Sequence, residues 1–210
     1  MLLRIFTILS LCFQVSGAVA GSYDDLLAAV KLNDIQAAEA LFARGMDVNT
    51  TDSAGNSLLM IALREGHTAL AKRLLRLRAK VDVRNQFGET ALMLAAAKSD
   101  LELVKLLVAD GAKVKLKGWN PLIYAAWSGK TDIVKFLLSK GADIDGVSPN
   151  GASALMMAAR GGHFETVKLL LWELADPNLK SDAGATALQW ALKAGNTEIV
   201  ALLKQAGAKD

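Results

Sequence analysis

The two histidines, His67 and His163, are the first residues to consider for chemistry, because imidazole serves as a general acid or base and as a metal ligand. Each follows a glycine, in the pairs Gly66-His67 and Gly162-His163, and each precedes an apolar segment. A catalytic pair or a shared metal would require the two rings to lie close together. Whether they can meet depends on the elements that carry them.

Sulfur chemistry is confined to a few positions. Met60, Met93 and Met156 occur at equivalent places along the chain, with Ile123 at the equivalent place between Met93 and Met156. Thioethers bind cuprous copper, but methionine also fills irregular cores, and the interrupted series favours the core. Cys12 is the single cysteine.

Sequence motifs for catalysis are absent. The chain has no Gly-rich phosphate loop, no Gly-x-Ser-x-Gly elbow and no His-Glu-x-x-His helix. We therefore predict a protein that is not an enzyme, with no catalytic or metal-binding residues and no cofactor.

A unit of about 30 residues recurs along the chain, most clearly from Asn85 to Ala112. It consists of a polar turn, an Ala-rich segment, a polar break, a second apolar segment and a glycine. The turn glycine recurs at intervals of 33, 30, 33 and 33 residues, at Gly55, Gly88, Gly118, Gly151 and Gly184. A second marker, at the end of the second segment, keeps the same register at Gly45, Arg78, Gly111, Gly141, Leu174 and Gly207. Such a unit cannot bury its apolar face alone and must stack on its neighbours.

These units carry residues typical of one repeat family. The matching motifs are Gly88-x-Thr90-x-Leu92, Asn120-Pro121-Leu122, Gly66-His67, Gly162-His163, Ile133 to Leu138, and Gly141-Ala142-Asp143. The chain after about residue 23 resembles the ankyrin repeat family, although only Pro121 keeps the family's proline. The resemblance implies an all-α fold, a solenoid of about six stacked helix-turn-helix repeats with short finger-like turns.

The repeat register divides the chain into segments. We expect one ankyrin repeat domain, 21–210, with repeats at about 23–51, 52–84, 85–116, 117–147, 148–180 and 181–210. The first repeat carries charges where a neighbour would otherwise pack, which is typical of an N-terminal cap. The turn at 113–117 is three residues shorter than its equivalents. Surface turns tolerate such changes, so the shortening alone does not indicate a function.

Within a repeat, the apolar residues follow helical spacing. Leu103, Val104, Leu106 and Leu107 predict one buried stripe on a second helix. Alanine pairs such as Ala95-Ala96 predict close approach between first helices. If stacked layers are about 10 Å apart, His67 and His163, three repeats apart, are about 30 Å apart. They cannot form a pair, and each is expected to have a structural role.

Residues 1–20 have the pattern of a secretory signal peptide. A short positive start with Arg4 precedes an apolar run from Ile5 to Val15, and small residues lead to Ala20. Cleavage there would remove Cys12, so the mature chain would have no disulfide. No later apolar run reaches membrane-spanning length, which predicts no stable membrane insertion after cleavage. We predict secretion across the inner membrane and a periplasmic location.

Charge limits the choice of partner. The chain has 24 basic and 21 acidic residues, and loss of Arg4 would leave a net charge of +2. That value is too small to indicate nucleic acid binding. A local basic cluster is either a solvated outer face or a surface for an acidic partner; its members are Lys72, Arg73, Arg76, Arg78, Lys80 and Arg84.

The resemblance also implies a binding surface. In the ankyrin family, residues flanking the turn glycine and those ending the first helix lie on the concave face and bind partners. The predicted partner-binding residues are Phe87, Glu89, Trp119, Trp127, Ser128 and Arg160. Tryptophan near arginine is typical of interface hot spots. Tyr124 and Trp190 fall on the inward slot and are predicted to pack in the core, whereas Trp172 lies on an outer helix without an evident role.

The prediction for function follows from these points. We expect a non-enzymatic scaffold that holds a protein partner. The residues specify neither the identity of the partner nor the oligomeric state of the chain. The alternative is a narrower inhibitory role, since some exported bacterial ankyrin proteins resemble immunity proteins that neutralise a toxin or hydrolase.

Overall fold

The computed structural model describes residues 22–98 and 101–209, and the predicted signal peptide lies outside them. The chain forms two compact units, one up to Ala79 and one from Lys80 onward. The first unit contains two helix pairs. Its helices are α1 (22–31), α2 (Ile35–Ala43), α3 (Leu58–Glu65) and α4 (Thr68–Arg76).

The second unit contains four helix pairs. Its helices are α5 (Ala91–Lys98), α6 (Leu101–Ala109), α7 (Pro121–Trp127), α8 (Thr131–Ser139), α9 (Ala154–Gly161), α10 (Phe164–Trp172), α11 (Ala187–Ala194) and α12 (Thr197–Gln205). The first helices of the pairs, α5, α7, α9 and α11, pack in a row, and the second helices, α6, α8, α10 and α12, pack in another. The predicted all-α fold of stacked helix pairs is confirmed. None of the helices in the described part of the chain has the length and apolar character that a bilayer span requires.

The first helices begin at polar side chains that satisfy exposed backbone donors. Ser57, Asn120, Ser153 and Thr186 each accept a hydrogen bond from the backbone N–H three residues later. Thr186 also forms a capping box with Gln189. These caps explain why each first helix starts at the same place in its repeat.

The second helices end in left-handed backbone. Gly45, Gly111, Gly141 and Gly207 take φ values of 83° to 95° at this point, which ends the helix without a side-chain clash. Arg78 and Leu174 occupy the same slot with φ of 64° and 68°. Both therefore adopt the glycine conformation and carry its cost.

The core consists mainly of leucine and alanine. Ala95 and Ala96, where the sequence predicts close approach of the first helices, are fully buried, and their helix α5 packs against α7. On α6, Leu103, Val104 and Leu107 are also fully buried, but Leu106 is 43% exposed. The predicted stripe was therefore wrong at Leu106, because that residue lies about 160° around the helix axis from Val104.

The fingers between the pairs share one hydrogen-bond pattern. At Asp52, Asn85, Ser148 and Ser181 the backbone N–H donates to the carbonyl four residues later, and the carbonyl accepts from the glycine three residues later. The finger between α6 and α7 has eleven residues, 110–120, whereas fourteen, 140–153, separate α8 from α9. This shorter finger leads directly into Trp119.

Candidate functional site

A groove of about 570 Å³ opens on the first-helix side of the second unit. Its walls come from the turn before α5, the turn before α7, and the helices α7 and α9. The side chains that define it are Glu89, Trp119, Tyr124, Trp127, Met157 and Arg160. Four of the six predicted binding residues thus line one groove.

Two positions of the repeat build this groove. Glu89 and Trp119 each follow the turn glycine in successive repeats, and Trp127 and Arg160 each stand near the end of a first helix. Packing of α5, α7 and α9 in one row brings equivalent positions of neighbouring repeats together. The spacing of 30 to 33 residues therefore becomes spatial proximity.

Aromatic side chains form the apolar wall. The rings of Trp119 and Tyr124 meet edge to face, with centroids 5.9 Å apart and planes at 83°. Trp127 is 57% exposed, so much of its indole faces solvent. This wall offers a large apolar surface at a place where packing of the fold does not require it.

Tyr124 corrects one prediction. We predicted core packing for it, but it is only half-buried, and its hydroxyl donates to Oε1 of Glu89 at 3.0 Å. A phenol with a polar end is stable at a wall between apolar core and solvent. Sequence position alone did not distinguish this wall from the core.

Glu89 is held from two sides. Its Oε2 accepts a hydrogen bond from the Asn85 side-chain amide at 2.7 Å, and its Oε1 accepts the one from Tyr124. Both carboxylate oxygens therefore have a donor within the protein. Glu89 fixes the shape of the groove as well as contributing a charge.

Arg160 lies at the far side of the groove and is exposed. Its guanidinium carbon is 5.6 Å from the centroid of the Trp190 ring, a cation–π arrangement. Trp190 was predicted to pack in the core, which was wrong: it is half-buried and supports Arg160. The tryptophan is 30 residues further along the chain, so only stacking reveals the pair.

Two predicted residues do not line the groove. Phe87 is 70% exposed, and its backbone N–H donates to Oδ1 of Asn85 at 3.0 Å. Ser128 ends α7, where its N–H donates to the Tyr124 carbonyl at 3.2 Å. A binding role for all six predicted residues stays a prediction.

Both histidines contact the preceding repeat. Nε2 of His163 lies 2.8 Å from the Trp127 carbonyl oxygen, and Nε2 of His67 lies 3.0 Å from that of Lys31. Because a carbonyl oxygen can only accept, each ring must carry its proton on Nε2. In the last repeat Asn196 replaces histidine and donates to the Ala159 carbonyl at 2.8 Å. These contacts agree with the structural role predicted for the histidines.

Other candidate chemistry is also accounted for. Met60, Met93 and Met156 are at most 1% exposed and pack in the core, as the sequence favoured. Within 22–98 and 101–209, no group of three His, Cys, Asp or Glu side chains could hold a metal ion. From the basic cluster, Arg73 pairs with Glu39, and Arg76 and Arg78 are exposed.

Comparison with known proteins gives one consistent result. The family model described as ankyrin repeats (3 copies) matches residues 26–115, 59–148 and 143–210. A putative ankyrin repeat protein of Rickettsia bellii is 30% identical over 122 residues, which cover 54% of this chain and 35% of that protein. The glycerophosphocholine phosphodiesterase GDE1 of Candida albicans is 35% identical over 122 residues, 55% of this chain but 10% of that protein. The chain thus spans about a third and a tenth of the length of these relatives.

A solved structure matches over most of the chain. The crystal structure of an ankyrin repeat domain from Acinetobacter baumannii has a TM-score of 0.73 and 30% sequence identity. The match covers 88% of this chain and 98% of that domain.

Proposed function

Because this chain belongs to the ankyrin repeat family, we propose that it is a non-enzymatic scaffold that binds a partner protein through the groove of its second unit. Ankyrin repeats present extended surfaces for protein binding, and the domain is typically non-catalytic. Within that general role, the groove has the aromatic and arginine composition of a binding site.

The observation that carries the proposal is the joint position of Trp119, Trp127 and Arg160. Tryptophan and arginine dominate interface hot spots, and each such residue contributes on the order of 2 kcal/mol or more. Trp127 remains 57% exposed. Its indole would gain most of its burial only when a partner covers it.

The rigidity of the site also supports binding. Trp119 contacts Tyr124, Tyr124 donates to Glu89, and the Arg160 guanidinium lies over the Trp190 ring. A site whose side chains are already held loses less conformational entropy on binding. Stacked repeats therefore suit recognition without rearrangement.

Affinity capture with groove variants tests the proposal. Trp119→Ala combined with Trp127→Ala should abolish capture of the partner from an extract of the source cells, while the far-UV circular dichroism stays unchanged. Trp172→Ala is the matched control, because Trp172 is 83% exposed on the second-helix side and does not line the groove. Undiminished capture by the folded double variant would remove the groove from the proposal.

We further propose that the protein acts in the periplasm. The support is the pattern of residues 1–20, with its positive start, short apolar run and small residues before Ala20. Cell fractionation should find the mature form in the periplasm, and mass spectrometry should find Gly21 as its first residue. Retention of residues 1–20 on a cytoplasmic protein would contradict this.

A further inference from the structure

Arg160 differs from its counterpart in the second repeat. Arg64 stands at the equivalent helix end and donates from Nη2 to Oδ1 of Asn56 at 3.0 Å. The position of Asn56 is taken in the fifth repeat by Ala152, whose methyl group accepts no hydrogen bond. The same slot therefore holds a tethered arginine in one repeat and an untethered one in the other.

The guanidinium of Arg160 has no acceptor in the part of the chain that the structure describes. Its side-chain contact is the Trp190 ring, at 5.6 Å. A guanidinium on an aromatic face is held in place, while the N–H groups at its edge remain available for a planar acceptor. Arg160 is thus a positioned donor without a partner.

Glu89 does not supply that partner. It lines the same groove, but in the part of the chain that the structure describes no hydrogen bond or ion pair joins it to Arg160; its oxygens accept from Asn85 at 2.7 Å and from Tyr124 at 3.0 Å. The finger that leads into Trp119 adds positive charge through Lys115 and Lys117, which are exposed. A positioned guanidinium beside an aromatic wall favours an anionic group in the occupant.

We infer that the groove takes an acidic segment of a partner protein, in which a large apolar side chain lies between Trp119 and Trp127 and a neighbouring carboxylate pairs with Arg160. A carboxylate matches the planar fork of arginine and forms the stronger, charge-assisted type of hydrogen bond. This inference rests on the proposed function and specifies the chemistry of the partner.

A selection experiment tests this chemistry. A phage library of random seven-residue peptides is selected against the wild-type protein, Arg160→Glu, Arg160→Lys, the Trp119→Ala plus Trp127→Ala variant, and Trp172→Ala. The wild type and Trp172→Ala should enrich peptides with Asp or Glu beside Phe, Leu or Trp. Arg160→Glu should lose the acidic preference, and Arg160→Lys should retain it in weakened form.

The best wild-type peptide then serves as a probe in fluorescence polarisation. Replacing its acidic residue by the corresponding amide should weaken binding to the wild type by on the order of tenfold. The same replacement should change binding to Arg160→Glu little. Increasing the salt concentration should weaken binding of the acidic peptide more than binding of its amide form.

The outcomes separate the inference from the proposed function. Peptides without acidic enrichment that still require the two tryptophans would overturn the inference and leave the groove as the binding site. Peptides that bind the Trp119→Ala plus Trp127→Ala variant as well as the wild type would contradict both the inference and the proposed function. If no peptide is enriched on the wild type, the acidic-segment inference fails, and affinity capture alone decides the proposed function.

Discussion

At the scale of single residues, backbone conformation and polar contacts at a few positions set the local energetics. Arg78 and Leu174 adopt positive φ where the other second helices end in glycine. A non-glycine residue in left-handed backbone costs on the order of 1–2 kcal/mol. The fold accepts this cost because the turn that follows each second helix has the same geometry in every repeat.

Leu174→Gly should therefore stabilise the protein. Leu174 is 85% exposed, so its side chain loses little packing on removal. We expect a gain of about 0.5–1 kcal/mol, which corresponds to a rise in Tm of about 1–4 °C for a chain of this size. Differential scanning calorimetry measures it.

Gly141→Ala tests the same backbone position in the opposite direction, by placing a side chain where the protein has glycine. A Cβ at Gly141 would meet nothing within 4 Å, so its effect comes from the φ of +83° alone. A loss of about 1 kcal/mol is expected. An unchanged or lower Tm for Leu174→Gly would show that its backbone conformation costs little.

A second prediction at this scale concerns Asp52 and pH. Partial burial alone would raise the pKa of Asp52, but hydrogen bonds from the Asn56 side chain and the Asn56 and Ala54 backbone, with the charge of Lys31, outweigh it and lower the pKa below its usual value. Since the folded pKa lies below the unfolded value of about 3.9, the stabilisation is present above that value and is lost as pH falls through the folded pKa.

Asp52→Asn should reduce the acid sensitivity of the fold. Asn85 at the equivalent turn accepts the same kind of backbone bonds, from Phe87 and Glu89, so an amide suits the turn. Urea unfolding at about pH 6 and about pH 3 should show a smaller loss of stability for the variant than for the wild type. Asp182→Asn, at an exposed position, controls for the loss of one negative charge. If Asp52→Asn and the wild type lose equal stability between the two pH values, the Asp52 carboxylate is not a source of the acid sensitivity.

At the scale of elements, side chains at the start of the second helices hold neighbouring repeats together. His163 precedes α10 and reaches the carbonyl that ends α7, and Asn196 precedes α12 and reaches the carbonyl of Ala159 in α9. The His163 ring also fills the space beside Gly129, where a Cβ would lie 2.5 Å from its Nδ1. One slot of the repeat therefore provides both a hydrogen bond and packing between pairs.

His163→Ala should destabilise the second unit, and His163→Asn should recover much of the loss. Alanine removes the exposed hydrogen bond to the Trp127 carbonyl, which costs about 0.5–1.5 kcal/mol. Asparagine restores an N–H donor, as Asn196 does in the next repeat. Urea denaturation followed by tryptophan fluorescence compares the three proteins. If asparagine and alanine are equally destabilising, ring packing rather than the hydrogen bond is the cause.

At the scale of the whole molecule, the two compact units differ in the number of helix pairs. In the residues that the structure describes, the first has two pairs and the second has four. Repeat proteins need about three units before the shared core outweighs the entropy of ordering the chain. The candidate groove lies entirely within the larger unit.

A fragment of residues 80–210 should therefore fold alone, whereas one of residues 21–79 should not. We expect helical circular dichroism and a cooperative urea transition from the larger fragment, and a shallow, non-cooperative change from the smaller one. The larger fragment should also retain binding through Trp119 and Trp127. A cooperative transition in the smaller fragment would show that two pairs suffice.

Much of the fold was predictable because the repeats recur at regular intervals along the sequence. Glycine at Gly55, Gly88 and Gly151 takes φ between 74° and 78° in every case, since one turn geometry recurs. The exposure of Leu106 was less predictable, because it depends on which side of α6 the neighbouring helices cover. Glu89 and Arg160 were predicted as site residues, but their partners were not.

The amino-acid sequence by itself determined the helix pairs and their register, because these depend on periods of 3.6 and about 33 residues. The resemblance to the ankyrin family supplied the positions that could form a binding face. Only the tertiary structure decided which side chains meet. Tyr124 donates to Glu89 across 35 residues, and the Arg160 guanidinium lies over the Trp190 ring without an acceptor among the residues that the structure describes. Such pairings depend on distances of a few ångströms between stacked repeats, which sequence spacing does not specify.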